Sequence, residues 1–418
     1  MSVPFCRAAT YVLTLLLGLP ATVDAKPPEL VVPAKGVTLS VAAPLPESID
    51  RGPGSYKLVE VGAKDVEAPA QLISAIADDG AAGKEARVLI ANIPPRKGAK
   101  DERRFQLQVA KPLKKGEFEF KDIDDKSLKI LDGDTPVMVY NHGTITGEHV
   151  PEKDRRRNRA CYIHPVWGLN GEVLTDDFPK DHFHHHGIFW SWPHVGVDGK
   201  EYDMWSSDAV KLKFERWLCR EAGPVAAVLG VENAWLIGDK KVVTERVWMR
   251  TYKVAEDARA IDLDFTWIPE KPISLRGAGG KSYGGLTVRL NVLPRRDAII
   301  TTERGAGKHE GKGSVSKTDL SNTPLAWADI TTVIPGCPQR SGLAVFVPKD
   351  HPDYPPTWLT RHYGPLCVGW PGVKTRTFEP GKPIRLSYRI LIHKKEMSPE
   401  ELKKAYDGYV TSADVAWK

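Results

Sequence analysis

The stretch IDLDFTWI, residues 261–268, decides the fold. Ile261, Leu263, Phe265 and Trp267 alternate with Asp262, Asp264 and Thr266, a period of two that puts one face of a strand on a core and the other in solvent. It closes a meander over residues 210–268, with turns at Glu221-Ala222-Gly223-Pro224, Gly238-Asp239-Lys240 and Ala255-Glu256-Asp257. The alternation returns at 285–292, 342–347 and 384–393. About 280 residues of consecutive antiparallel strand predict an all-β chain built on a large double-layer supersandwich.

Toward the N-terminus the strand signals shorten. Residues 37–42, 56–61, 70–75, 87–92 and 105–109 are separated by Gly, Pro and charged turns, which predicts a small β-sandwich over 26–125 ahead of the large domain, 126–418. One helix is signalled, near the C-terminus. Ser398-Pro399-Glu400-Glu401 is a capping box with Pro at the first helical position, and it opens a short brace.

The N-terminus reads as an export signal. Arg7 precedes the apolar run Tyr11 to Leu17, too short to span a bilayer, and Val23-Asp24-Ala25 offers a cleavage site after residue 25. The expected location is the periplasm or the extracellular space, with no transmembrane segment in the mature chain. Net charge is +6, and the short basic clusters at 111–115 and 155–159 lack interleaved aromatics, so nucleic acid is not an expected partner. Cys161, Cys219, Cys337 and Cys367 form no CxxC pair; disulfides and isolated buried thiols both remain open.

Histidine concentrates the chemistry. Of 12 His, eight lie between His142 and His194, and five of those fall within DHFHHHGIFWSWPH, residues 181–194. If that segment is extended, His182, His184 and His186 share one face that continues through Trp190 and Trp192. Imidazoles exchange protons with hydroxyls and indoles stack on the C–H face of a sugar ring, so such a row suits a carbohydrate. The same row can take a divalent metal, with Asp181 or Asp177 completing a histidine–carboxylate set, although no standard metal motif is present and the cofactor is left unknown. A second polar cluster, Arg361-His362-Tyr363-Gly364, and a third around Tyr283 read as further walls. There is no G-x-S-x-G nucleophile elbow.

These clusters carry a resemblance. His164-Pro165 with Gly171 to Thr175, the block Asp181 to Gly187, then Trp190, Gly199, Asp203, Trp205, Tyr283-Gly284-Gly285 and Arg361-His362-Tyr363-Gly364 make the chain similar to the PmoA-like family of exported bacterial proteins, labelled "methane oxygenase PmoA". A departure is His186, where that family usually has Arg. A membrane methane oxygenase subunit needs several transmembrane helices, which this chain lacks. What the resemblance implies is a galactose-mutarotase-like supersandwich.

The expected function is therefore an exported enzyme acting on a small carbohydrate or related polyol. His182, His184, His185, Asp181 and His362 are the expected acid–base residues; His164, Trp190, Tyr283, Arg361 and Tyr363 are the expected substrate contacts. Epimerisation, lyase chemistry and hydrolysis are left open. So are a metal-dependent enzyme, an oxygenase included, built on the same histidines, and a non-catalytic sugar-binding protein.

Overall fold

The computed structural model describes residues 27–49, 55–63, 66–99, 101–111, 117–292, 297–311, 314–334, 336–337 and 339–418. The expected export signal lies outside them.

The meander forms as read. Lys211–Ala222, Ala226–Ile237, Lys240–Ala255 and Ala258–Pro269 pair antiparallel in sequence order, and Ala258–Pro269 then pairs with Ile384–His393. They belong to a nine-stranded back sheet. A second nine-stranded sheet, the front sheet, includes Tyr162–Val166, Ile188–Ser191, Gly285–Arg289, Thr357–Thr360 and Pro365–Gly369. One apolar cluster fills the space between the sheets. Leu229, Val247, Leu263 and Ile390 come from the back; Trp190, Leu286, Val288 and Val368 come from the front. The chain is thus an antiparallel double-layer supersandwich. Its helix, Pro399–Thr411, carries the reciprocal capping box of Ser398 and Glu401.

At the centre of the core lies a carboxylate. Glu245 is fully buried and accepts hydrogen bonds from Nε1 of Trp190 (2.7 Å), Trp235 (2.8 Å) and Trp267 (2.8 Å) and from Nδ2 of Asn233 (2.9 Å). Burial pushes its pKa up, while these donors pull the other way.

The N-terminal unit differs from expectation in its limits. It is a single seven-stranded sheet with its own core of Leu39, Val41, Leu58, Leu89 and Phe105. Its last strand is Ala416–Trp417, so the far end of the chain returns to complete it. Phe118–Asp122, assigned by sequence to this unit, instead pairs with Ser127–Asp132 in the front sheet. The other face of the N-terminal sheet covers the back sheet, where Ile73 and Ile90 pack on Trp248 and Tyr252. The acidic positions of 261–268 are correspondingly not simply solvated. Asp262 meets Arg389 at 2.7 Å and Asp264 meets Arg250 at 2.7 Å. Cys161, Cys219, Cys337 and Cys367 are all free and buried.

Glu245→Ala strands three indole N–H groups and an amide without an acceptor. It is expected to cost about 3–5 kcal/mol, read by urea denaturation with tryptophan fluorescence. A loss below about 1 kcal/mol would show that the carboxylate does not hold the sheets together.

Candidate functional site

Period-two alternation gives the front sheet a second, outward surface. Trp190 points inward, so Phe189 points outward. Phe189 stands opposite Thr287, Thr287 opposite Cys367, and Cys367 opposite Leu359, a row that crosses four strands. Tyr162, Phe189, Leu359 and Cys367 make a satellite apolar cluster with Trp205, against which Tyr283 packs. This is the floor of the site.

The histidine segment lies over that floor as a chain of turns and not as a strand. His182 N–H donates to Pro179 O (2.9 Å), His185 N–H to His182 O (2.9 Å), and Phe178 N–H to His185 O (3.1 Å). The expected row of His182, His184 and His186 therefore does not form. His182, His184 and His185 share the cavity side, and His186 turns away to bond Asp177 Oδ1 (2.8 Å), whose other oxygen accepts from Tyr162 Oη (2.8 Å). Two backbone features hold this shape. A Cβ on Gly187 would collide with the carbonyl oxygen of Ile163. Phe178 sits in the left-handed region at φ 49°, a strained position for an aromatic residue, and its ring covers His186.

Three rings form a column. Tyr363 stacks on His182 (4.9 Å, 3°), and His182 stacks on His185 (4.7 Å, 7°). His184 stands across them at 76° and 81°. Trp205 and Tyr283, 4.7 Å apart, form the facing wall, with Lys281 and Ser206 beside them. The cavity they enclose is about 530 Å3, within the usual range for a small-molecule site.

An ion pair between a buried arginine and an exposed carboxylate supports the column. Arg289, fully buried, donates from Nη2 to both oxygens of Asp181 (2.9 and 3.1 Å) and from Nη1 to His185 Nδ1 (3.3 Å). Its guanidinium also lies 5.3 Å from the Tyr363 ring centre. Because Nδ1 of His185 accepts, the proton of the neutral ring sits on Nε2, a tautomer assigned from this hydrogen bond. His182 Nδ1 comes within 3.0 Å of Asp181 Oδ2, a close contact whose alignment falls short of a linear hydrogen bond. Burial raises the Asp181 pKa, but His182 and Arg289 outweigh it and hold the carboxyl at about 2. Burial, then the neighbouring His182, depresses His184 to about 3; burial, then His184 and Arg289, pushes His185 well below its usual value. Burial and nearby Cys367 push the Tyr363 phenol up to about 12. At neutral pH His184 and His185 thus present neutral imidazoles and Tyr363 a neutral phenol. His184 Nδ1 is buried without a partner.

Of the expected residues, His182, His184, His185, Tyr283, Arg361 and Tyr363 line the cavity, and Asp181, exposed, lies beside His182 and pairs with Arg289. Arg361 spends its guanidinium on Leu320 O, Thr360 O and Ser321 Oγ, so it shapes the wall. Three expectations fail. Trp190 belongs to the core, because it falls on the inward face of its strand. His362 is buried, with Nδ1 2.6 Å from Asp319 Oδ1 and Nε2 2.9 Å from Gly307 O, and so braces a loop. His164 sits behind the site with Nδ1 3.0 Å from Thr175 Oγ1. Arg289 was missed. Its signal was an arginine sharing the face of Gly285 and Thr287 in an otherwise apolar strand. Trp205 was noted only within the resemblance, with no role assigned.

Among the described residues no three His, Cys, Asp or Glu side chains are placed to hold a metal ion. The geometry explains why. Two parallel imidazoles point their nitrogen lone pairs side by side and cannot aim them at one ion, and the third ring lies across them.

Residues 127–407 match the model of a family described as Family of unknown function (DUF6807). That description gives no support to the methane-oxygenase label. No curated protein matches the chain. Among solved structures, the galactose mutarotase related enzyme from Lactobacillus acidophilus aligns at 7% identity over 67% of this chain and 99% of that one, with a TM-score of 0.35. The aldose epimerase homologue from C. elegans aligns at 9% identity over 66% and 98%, with a TM-score of 0.28. Both scores are too low to carry residues or activity across.

His184 has a depressed folded pKa, so the unfolded chain takes up its proton first as pH falls. Its contribution to stability is complete above about pH 6.5 and is lost as pH falls toward about 3. His184→Gln should flatten the acid side of the stability curve in that window, measured by urea titrations at stepped pH. An unchanged slope would contradict the burial of a neutral ring.

Proposed function

We propose that this chain, which belongs to the family of unknown function DUF6807, is an exported enzyme that binds a carbohydrate or related polyol over the Tyr363–His182–His185 column and moves a proton on it. The observation that carries this reading is the column itself, standing on the Asp181–Arg289 pair and facing a cavity. Stacked rings fixed from below are preorganised, so little reorganisation is needed when a substrate arrives.

The two imidazoles divide the work. His182 turns Nδ1 toward the Asp181 carboxylate, which favours the tautomer that leaves Nε2 free to accept a proton from a substrate hydroxyl or C–H. His185, fixed by Arg289 with its proton on Nε2, is a neutral donor suited to a substrate oxygen that gains charge. Its depressed pKa keeps it a donor of a hydrogen bond and not a bearer of a full positive charge. The tilted pair Trp205–Tyr283 offers aromatic faces for the C–H side of a ring, while Ser206 and Lys281 meet hydroxyls. Epimerisation and lyase chemistry can both begin with this transfer, whereas in hydrolysis the same base would take its proton from water while a donor protonates the leaving oxygen. Export is supported by the apolar N-terminal run and the small-residue site ending at Ala25.

Saturation-transfer NMR with glucose, galactose and galacturonic acid should show sugar signals that weaken in Trp205→Ala. With the sugar that turns over, His182→Gln should lower the rate by roughly two orders of magnitude or more, with an unchanged melting temperature. A His182→Gln rate equal to wild type would sink the acid–base assignment. Failure of all three sugars to bind would sink the carbohydrate reading.

A further inference from the structure

A second hollow lies beside the site, and the same strands floor both. Thr357 pairs with Gly369, and Leu359 pairs with Cys367. Alternation puts all four on the outward face. Leu359 and Cys367 face the histidine cavity, while Thr357 and Gly369 face a groove of about 430 Å3. The step from Cys367 to Gly369 is two residues, about 7 Å along a strand. Between the hollows stands the turn that carries Lys281 and Ser282. It rests directly on Gly369, where a Cβ would collide with Ser282 O, and Asn322 N–H bonds Lys281 O (3.3 Å) on the groove side. Lys281 itself lines the histidine cavity, and Asn322 lines the groove.

Charge runs one way along this surface. Among the described residues no Asp or Glu lines the histidine cavity, which holds Lys281 and Arg361. Asp203, close by, is spent on the backbone and hydroxyl of its own turn through Trp205 N, Ser206 N and Ser206 Oγ. The groove carries Lys374 and Arg376 against one acid, Asp353, and Arg376 Nη2 pairs with it at 2.8 Å. Among the described residues neither Lys281 nor Lys374 has an ion-pair or hydrogen-bond partner for its ammonium group.

We infer that the two hollows are adjoining subsites of one cleft that takes an anionic oligosaccharide. Its reacting unit lies over the histidine column, and its next units lie along the groove, with their carboxylate or sulfate groups toward Lys281 and Lys374. This rests on the carbohydrate reading of the column and names the substrate class for it. A chain of linked sugars would reach both hollows by crossing the turn of Lys281 and Ser282, because both open on the same outward face of the sheet, about two residues apart along one strand. Exposed ammonium groups meeting exposed anions gain modest, salt-sensitive energy, so the cations select the class of ligand more than they tighten it.

Isothermal titration with galacturonic acid and its dimer, trimer and tetramer tests the inference, with maltotriose as the neutral arm and a chondroitin sulfate tetrasaccharide as the sulfated arm. Affinity for the uronates or the sulfated chain should rise about tenfold or more between one unit and three or four and fall with added salt. In Lys374→Glu the ratio of trimer to monomer affinity should collapse toward one. A ratio near one in the wild type, a ratio untouched in Lys374→Glu, or maltotriose binding as tightly as trigalacturonate would each overturn the inference and leave the column's reading in place. Failure of every sugar, monomer included, would instead remove the reading on which it rests.

Discussion

Three indole N–H groups converging on Glu245 tie the two sheets of this protein together. Trp190 comes from the front sheet, while Trp235, Trp267 and Glu245 itself come from the back. A buried carboxylate is tolerable only when its lone pairs are met, and here four donors meet them. The requirement reaches the site directly. With Trp190 held inward, its neighbour Phe189 must face outward, and the histidine segment that leads into this strand is delivered to the outer surface.

The site inverts the polarity of that core. In the core a single anion is surrounded by neutral donors. Beneath the site a single buried cation, Arg289, serves an anion on one side and an imidazole on the other. Arg289 has no exposure to water, so its charge is compensated by Asp181 and by the Tyr363 face. The pair holds His185 and lies against His182 and Tyr363, so the orientation of the column depends on a residue that does not line the cavity.

The small N-terminal sheet and the helix lie on the far side of the molecule from this chemistry. Trp248 Nε1 reaches Gly80 O at 2.8 Å, and Gln71 Oε1 accepts from Val225 and Ala226 N–H, so the small sheet seals the outer face of the back sheet. That leaves the outer face of the front sheet as the surface that loops decorate. The returning Ala416–Trp417 strand closes the small sheet next to Leu30–Val32 and joins both ends of the described chain.

By itself the sequence determined the class of fold, the meander and its turns, the capped helix, and the residues that crowd near the site. These are local properties: alternation, turn chemistry and capping act over a few residues, and each survives whatever the rest of the chain does. Tertiary structure alone decided which face each alternating residue took. Trp190 and Phe189 are equally apolar, and only pairing with Gly285–Arg289 and the pull of Glu245 separate core from site. The same holds for the imidazoles. An extended reading aligned His182, His184 and His186, but turns closed by backbone bonds and the tight passage at Gly187 brought His182, His184 and His185 together. Asp181 and Arg289 are 108 residues apart, and His362 found Asp319 43 residues away. Pairings of that range are set by which strands become neighbours, a property of the whole sheet and not of any segment within it.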